Sequence, residues 1–346
     1  MGELVISVRG GWRLAALAAL IPLGAGCNAI LGVDNHSLKP GAGGMTGTGG
    51  AAGTTSSCTV DGGVTDADAS DASTAMPCGF VVPNFGSGLP NQANYAPPGL
   101  DQSLKDNITT LTWQGLVDNR TVSQPEAASF CDDQDKTYGP WRLPTMKELM
   151  SLVDFTVPPP GPTISAMFPD RPAEHFWTSS PAACGPKYWY VDFAKGDAHQ
   201  ELPNVLKRIR CVRGALPNCV STRYSIPGDG TVHDATTGLT WSQTVTGSQN
   251  LTWSGATAYC PTLGTGWRLP SPTELETLID LTKQGPPIAP IDQAAFPNTP
   301  SDNFWAYPTQ ANDPSVAWYV AFVHGHIDVV DVTLPYWARC VRWDGL

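Results

Sequence analysis

The sequence is short of basic residues. Its 346 residues include 20 Lys or Arg against 31 Asp or Glu, which gives a net charge of −11. Between residues 219 and 346 there are 5 basic residues against 11 acidic ones. Binding to nucleic acid or to another polyanion needs clustered positive charge, and the one such stretch is Lys207-Arg208-Ile209-Arg210. We therefore expect no nucleic-acid partner.

The sequence signatures of common catalytic sites are also missing. The chain contains no Gly-rich phosphate loop, no nucleophile elbow and no zinc-ligand spacing. Its six histidines form no repeated cluster of the kind that an iron facial triad requires. We predict that the protein is not an enzyme and that it binds no cofactor and no metal.

The N-terminal region has the pattern of an export signal. Arg9 and Arg13 precede an apolar run over residues 14–23, which is too short to span a bilayer. The run leads to Leu23-Gly24-Ala25-Gly26-Cys27, which resembles a bacterial lipobox. This predicts a signal peptide over residues 1–26 and a lipid anchor on Cys27, with an outer-membrane or cell-surface location; Asn28 favours the outer membrane. The alternative is an ordinary secretory signal in which Cys27 is incidental.

A tether is predicted after the cysteine. Between residues 41 and 76 the composition changes to Gly, Ala, Thr, Ser and Asp, with almost nothing apolar to bury. Such a segment cannot offset its ordering entropy. We therefore expect residues 27–77 to be a flexible tether that holds the folded part away from the membrane.

The remainder of the chain is a tandem repeat. Trp141-Arg142-Leu143-Pro144-Thr145 returns as Trp267-Arg268-Leu269-Pro270-Ser271, and the flanking motifs return in the same order at offsets of 126 to 129 residues. A period this long indicates two copies of one domain. We place the first repeat at residues 78–214 and the second at residues 215–346, and we expect each to bury its own core.

The cysteines predict one disulfide bond in each repeat. Apart from Cys27 there are eight, an even number in an exported protein. Cys131 and Cys211 are 80 residues apart, and so are Cys260 and Cys340. Equal spacing in two copies predicts the pairs Cys131–Cys211 and Cys260–Cys340. Three pairings stay open for the others, which are Cys58, Cys78, Cys184 and Cys219.

Two short helices are predicted in each repeat. The first ends at the cysteine, over residues 124–131 and 252–260, and the second follows the proline of the repeated motif. Thr145 and Ser271 stand three residues before Glu148 and Glu274, which is capping-box spacing. This role accounts for both glutamates without catalysis. The remaining segments are predicted to be short strands and loops.

Other conspicuous side chains are expected to be structural. Arginines beside acidic and aromatic residues favour internal pairs and stacking, and Trp in a small domain is usually core. The arginines are Arg142, Arg210, Arg213, Arg268, Arg339 and Arg342, and the tryptophans are Trp177, Trp189, Trp305 and Trp318. His324 and His326 with Asp328 are a conceivable metal-binding pair, but the Gly turn between them is more typical of a solvated hairpin tip.

The combined motif order resembles a known family. The sequences A-x-x-x-C, W-R-L-P-[TS], E-L-x-x-L-[VI]-D, F-W, W-Y-V-x-F and R-C-V-R are similar to those of the C-terminal domain of Legionella collagen-like adhesins. More distantly, the order resembles the formylglycine-generating-enzyme branch of the C-type lectin fold. The resemblance implies an α+β fold of two tandem C-type-lectin-like domains with short helices and twisted antiparallel sheets. It also implies a disulfide that joins the first helix to the last strand.

The resemblance implies a non-catalytic, surface-displayed adhesion protein that recognises an extracellular glycan or protein. Recognition in such domains lies in loops on a rigid scaffold, which correspond to residues 158–174, 196–204, 284–302 and 324–331. The candidate ligand-binding residues in or beside these loops are Asp192, Asp197, His199, His324, His326 and Asp328. The alternatives are a structural envelope or appendage component without a small ligand and, less favoured, an oxidase of the formylglycine-generating type.

Overall fold

The computed structural model describes residues 81–86, 88–134, 136–137, 139–214, 223–245 and 247–344. The predicted signal peptide, the anchor at Cys27, the tether and the cysteines Cys58, Cys78 and Cys219 lie outside the described residues. In the described part of the chain, no helix has the length and apolar character needed to cross a membrane.

The described chain consists of short strands and short helices, and the two helices of each repeat follow one another. The strands are β1 (Leu104–Lys105), β2 (Thr112–Trp113), β3 (His175–Pro181), β4 (Tyr188–Asp192), β5 (Asp197–Glu201), β6 (Val212–Arg213), β7 (Tyr224–Ser225), β8 (Thr231–Asp234), β9 (Leu239–Ser242), β10 (Asn303–Gln310), β11 (Asp313–Ala321), β12 (Ile327–Asp331) and β13 (Val341–Trp343). The helices are α1 (Gln124–Asp132), α2 (Met146–Met150), α3 (Trp253–Tyr259) and α4 (Pro272–Glu276), and a 3-10 helix over Cys260–Leu263 follows α3. The α+β class is confirmed, with far more sheet than helix.

The predicted helix starts are confirmed in detail. Thr145 and Ser271 are the N-caps of α2 and α4, and each accepts a hydrogen bond from the backbone N–H three residues on. The Glu148 and Glu274 carboxylates in turn accept from the N-cap backbone N–H groups at 2.8 and 2.9 Å. These reciprocal bonds satisfy donors that a helix start otherwise leaves unpaired.

Within the described residues, the strands form three antiparallel sheets. A three-stranded sheet (β1-β2-β6) belongs to the first repeat and a four-stranded sheet (β13-β9-β8-β7) to the second. The third sheet has six strands in the order β10-β11-β12-β5-β4-β3, so it draws three strands from each repeat. The repeats join edge to edge where Ile327 of β12 pairs with Ala198 of β5.

The hydrophobic core is shared as well. The largest apolar cluster contains Trp189 and Val191 from the first repeat together with Trp318 and Val320 from the second. Smaller clusters lie under α1 in the first repeat and under α3 in the second. The expectation that each repeat buries its own core therefore holds only for these smaller clusters. A sheet that continues from one repeat into the other needs one continuous apolar layer beneath it.

The predicted disulfide bonds are confirmed. Cys131 is bonded to Cys211 and Cys260 to Cys340, and all four residues are buried. Each bond joins the first helix region of its repeat to the segment that enters the last strand. Cys184 is disulfide-bonded too.

Two of the four predicted recognition loops are in fact strands. Residues 196–204 contain β5 and residues 324–331 contain β12, and these strands form the junction between the repeats. The loop prediction was wrong because each segment forms the second strand of a hairpin in its own repeat, β5 with β4 and β12 with β11. The additional pairing of β5 with β12, in the other repeat, is the part that no local sequence pattern indicates.

Candidate ligand-binding face

One face of the six-stranded sheet packs on the shared apolar core, and the other, called the polar face, is polar in its middle with the smaller apolar clusters at its ends. Side chains alternate between the two faces along a strand. In β4, Val191 points into the shared core, whereas Tyr190 and Asp192 lie on the opposite face. In β5, Ala198 belongs to the core, and its neighbours lie on the polar face. Helices α1 and α3 pack near the two ends of the polar face, against β3 and β10.

The six predicted ligand-binding residues come together in the middle of the polar face. Continuing the Ala198–Ile327 register sets Asp197 opposite Asp328 and His199 opposite His326. The His199 and His326 rings are 5.3 Å apart between centroids, and the His324 and His326 rings are 3.8 Å apart. Asp192 pairs with Asp197 across β4 and β5. We call this group of six the seam cluster.

The repeat symmetry explains why like residues meet in the seam cluster. Asp197-Ala198-His199 of the first repeat corresponds to His326-Ile327-Asp328 of the second. Because β5 and β12 are antiparallel, Asp197 faces the equivalent of His199, which is Asp328. The substitution pattern thus places two carboxylates beside each other and two imidazoles beside each other.

Burial and neighbouring charge set the protonation of the seam cluster. Burial lowers the pKa of His326 to about 3, and the positive charge that His324 and His199 can carry adds to the effect. Burial also lowers the pKa of His199, but the hydrogen bond and charge of Asp197 outweigh it, so that pKa lies above the ordinary value. The His199 Nε2 to Asp197 Oδ2 distance is 3.3 Å. Burial and the charge of Asp197 raise the pKa of Asp328.

The histidine pair lies in the turn of the β11–β12 hairpin, as the sequence favoured, but the turn is only partly solvated. His326 is largely buried in the seam, where its ring also contacts Trp189 edge-on at 5.2 Å. Among the described residues, His326 Nε2 and Asp197 Oδ1 are buried without a hydrogen-bond partner. In the same part of the chain, no group of three or more His, Cys, Asp or Glu has a geometry that could hold a metal ion.

A pocket of about 230 Å³ opens beside the seam cluster in the first repeat. Its lining includes Glu174, His175, Asp192, Leu206, Lys207 and Arg208. The Asp192 carboxylate accepts a hydrogen bond from the Ala194 backbone N–H at 2.8 Å and lies 3.3 Å from His175 Nε2. Burial raises the pKa of Asp192, but these partners outweigh it and the pKa lies below its usual value. Asp192 is therefore an ionised acceptor in the pocket wall.

The basic wall of the pocket contains one paired and one unpaired cation. Arg208 donates to both Glu174 carboxylate oxygens, at 2.6 and 2.8 Å. Lys207 has no carboxylate within 4.0 Å among the described residues, and its Nζ lies 3.7 Å from the Tyr190 ring centroid and 5.2 Å from that of Trp177. The pocket thus combines fixed acceptors with a cation that packs on aromatic rings outside the pocket lining.

Sequence reasoning included Glu174 only as the end of the predicted recognition loop 158–174, and it missed His175 and the role of Lys207. A usable signal was present in the difference between the repeats. At positions where the surrounding motifs repeat, His175 corresponds to Asn303, Asp192 to Ala321 and Lys207 to Tyr336. A polar group that one copy keeps and the other lacks is not required by the shared scaffold.

The remaining candidate groups are structural, as predicted. Glu148 and Glu274 are fully buried, and each pairs with an arginine, Arg142 and Arg268, at 2.8 and 2.7 Å. The buried guanidinium of Arg210 donates to backbone carbonyls and stacks on Phe168. The four repeated tryptophans are buried in the apolar clusters. Of these side chains, Trp177 lies closest to the pocket, because its ring packs near the ammonium of Lys207.

Fold and face together define the class of the protein: a tandem α+β protein with disulfide-closed repeats and a polar, partly aromatic face that crosses both of them. The family model of the Lcl C-terminal domain matches residues 102–213 and 230–342, more than half of the chain. The chain belongs to this family, the C-terminal domain of the Legionella collagen-like protein, and the resemblance drawn from the motifs is confirmed. A search of curated proteins found no match. Membership of the family implies an adhesin-like surface protein and suggests a non-enzymatic role.

Proposed function

We propose that this chain is a non-catalytic adhesin that binds an extracellular glycan or protein at the polar face of its first repeat. The single observation that carries the proposal is the pocket beside the seam cluster. It places ionised Asp192, the cation of Lys207 and an exposed apolar side chain, Leu206, around one concavity. A small set of fixed polar groups beside apolar and aromatic surface is typical of a ligand site.

The contrast between the repeats supports the proposal. The second repeat keeps the disulfide, the capping box of its second helix and the buried arginine, but it has Ala321 where the first has Asp192. These scaffold features are therefore the same in the two repeats, whereas the pocket residues differ. This separation favours a binding role for the pocket residues, since residues needed only for the fold would be kept in both copies.

The cysteines argue against the oxidase alternative. A nucleophilic or metal-binding cysteine must be a free thiolate. Cys211 and Cys340, which stand in the R-C-V-R motifs, are buried in disulfide bonds. We further propose that the protein is lipid-anchored through Cys27 at the outer membrane or cell surface, since the residues before that cysteine resemble a lipobox.

The test is a binding screen with the oxidised chain from residue 58 onwards, which contains the compact unit of residues 58–346. Glycan and protein arrays are probed with the wild type and with Asp192→Ala and His175→Asn, which introduce the residues of the second repeat. We expect a specific ligand whose binding both variants weaken. Asp313→Asn, at an exposed site away from the pocket, is the control and should bind as the wild type does. Absence of any ligand on both arrays would favour the structural-component alternative.

A further inference from the structure

Lys207 is a buried cation without an anionic partner. Its side chain is only 5% exposed, and among the described residues its ammonium has neither a hydrogen bond nor an ion pair. Other buried cations in the described chain donate hydrogen bonds: Arg210 donates to the carbonyls of Gln114 and Asp170, although its Nε has no partner, and Lys147 donates to those of Thr277 and Ile279. Lys207 differs from them because its ammonium donates to no described protein group and is not among the fully buried atoms, so it is available to a ligand.

The contacts of Lys207 offset its burial only in part. The ammonium lies over the Tyr190 ring and near Trp177, which is a favourable cation–π arrangement. Burial nevertheless lowers the pKa of Lys207, although the more distant carboxylates Glu201 and Asp192 act in the opposite direction. The buried position thus disfavours the charge that Lys207 carries.

The second repeat shows that the scaffold does not need this charge. Tyr336 stands at the equivalent position, with its ring 4.8 Å from Trp305 and 5.4 Å from Tyr319. A neutral aromatic side chain therefore fills the same place over the equivalent tyrosine and tryptophan. A cation that is unfavourable for folding and unnecessary for the scaffold is expected at a functional site.

We propose that the Lys207 ammonium anchors the carboxylate of an acidic sugar residue, such as a hexuronate, in the pocket of the first repeat. The inference rests on the proposed binding function and specifies its ligand. A pocket of about 230 Å³ has room for about one sugar ring. Leu206, 59% exposed at its rim, offers apolar contact to the C–H face of the ring.

The surrounding charges select one negative group rather than many. Arg208 is already held by Glu174, so Lys207 is the one pocket cation left for the ligand among the described lining residues. Glu174 and Asp192 line the same pocket and repel further negative charge. A carboxylate concentrates its single charge on two oxygens and is a stronger hydrogen-bond acceptor for an ammonium than a sulfate ester, which spreads the same charge over three oxygens. The pocket therefore favours a carboxylated sugar over a sulfated one.

The experiment titrates the oxidised chain from residue 58 with glucuronate, glucose and glucose 6-sulfate, followed by NMR of the protein. We expect glucuronate to shift the Tyr190 and Lys207 signals, with glucose and glucose 6-sulfate at least about tenfold weaker. Lys207→Tyr, which copies the second repeat, should lose about tenfold in glucuronate affinity, and Lys207→Arg should keep most of it. Lys187→Gln, which removes an exposed lysine, should leave the affinity unchanged.

A stability measurement separates loss of the anchor from loss of the fold. Because Lys207→Tyr removes an unpaired buried charge, its thermal unfolding midpoint should equal or exceed that of the wild type. Equal binding of glucose and glucuronate, or unchanged affinity in Lys207→Tyr, would overturn the anchor while leaving a sugar-binding function intact. A protein ligand on the arrays with no response to the three sugars would also overturn it. If neither the arrays nor the sugar titrations detect any ligand, the proposed binding function itself is wrong.

Discussion

Lys147 in the first repeat and Glu276 in the second form a buried charge pair that joins the two copies. The Lys147 Nζ lies 4.0 Å from the Glu276 carboxylate, and both side chains are almost fully buried. The ammonium also donates to the carbonyls of Thr277 and Ile279, at 3.2 and 2.6 Å, just beyond the C-terminus of α4. A cation is favoured there because the helix carbonyls present partial negative charge.

This contact is asymmetric although the repeats are equivalent. Helices α2 and α4 align residue by residue, and Thr273 stands where the first repeat has Lys147, while Met150 stands where the second has Glu276. One repeat supplies the cation and the other the carboxylate. The pair therefore specifies how the two copies face each other, in the way that buried polar groups fix the register of other assemblies.

Removing one member of the pair should be costly, and removing both should not. Lys147→Thr alone leaves a buried carboxylate without its cation, so we expect a loss of about 3–5 kcal/mol in the free energy of unfolding. Lys147→Thr with Glu276→Met, which introduces the residues of the other repeat, should recover most of that loss. Chemical denaturation of the single and double variants measures the coupling. Strictly additive losses would contradict a pairwise role.

Because of Glu276, we expect the folded protein to become more stable against unfolding on mild acidification. Burial raises the pKa of Glu276 to about 7, against the lowering effects of Lys147 and Arg223. Between pH 7 and the ordinary value of 4.5, the folded chain holds a proton that the unfolded chain has lost, so stability rises as the pH falls through this window. The difference in unfolding free energy between wild type and Glu276→Gln should shift in favour of the wild type from pH 7.5 to pH 5. A constant difference would place the Glu276 pKa near its ordinary value.

For His326 we expect the opposite dependence of stability on pH. The pKa of His326 in the folded chain is about 3, below the ordinary value of 6.5. Between these two pH values the histidine is protonated in the unfolded chain but not in the folded chain. Stability is therefore lost as the pH falls from 6.5 towards 3, by at most about 1.4 kcal/mol per pH unit for one proton. His326→Gln should remove this slope, whereas His233→Gln, on the four-stranded sheet, provides the comparison. An unchanged slope in His326→Gln would mean that the seam does not exclude the imidazolium.

Local and repeated features were predictable from the sequence. The capping boxes at Thr145 and Ser271 depend on side chains three residues apart, and the prediction needs no knowledge of tertiary structure. The disulfide bonds followed from equal spacing in two copies. Membership of the family followed from the order of short motifs. In each case the information lies in the sequence of one repeat or in the comparison of the two copies.

The junction between the repeats was not predictable in the same way. Pairing of β5 with β12 joins residues more than a hundred positions apart, and its strands are polar on one face. The six candidate residues were identified from the sequence, but their assembly into one cluster across both repeats depends on that pairing. Lys207 was visible only as part of a basic stretch, because the absence of a partner is a property of the folded chain.

Lipid anchoring is a prediction from the sequence alone. If Cys27 is acylated, the mature protein should partition into the detergent phase, because acyl chains add a large apolar surface. Cys27→Ser should release the protein or leave the precursor uncut. Phase partitioning with mass spectrometry of the N-terminal peptide measures both. Normal maturation and unchanged partitioning of Cys27→Ser would show that Cys27 is incidental to an ordinary secretory signal.

The two confirmed disulfides should contribute equally to stability. Each closes a loop with a sequence separation of 80 residues, and loop closure in the unfolded chain is worth about 4 kcal/mol at this length. Replacing both cysteines of either pair by alanine should therefore lower the unfolding free energy by similar amounts. Because the largest apolar cluster contains residues from both repeats, each variant should still unfold in one cooperative transition. Calorimetry that resolved two transitions would instead show that the repeats unfold independently, despite the strands and core that they share.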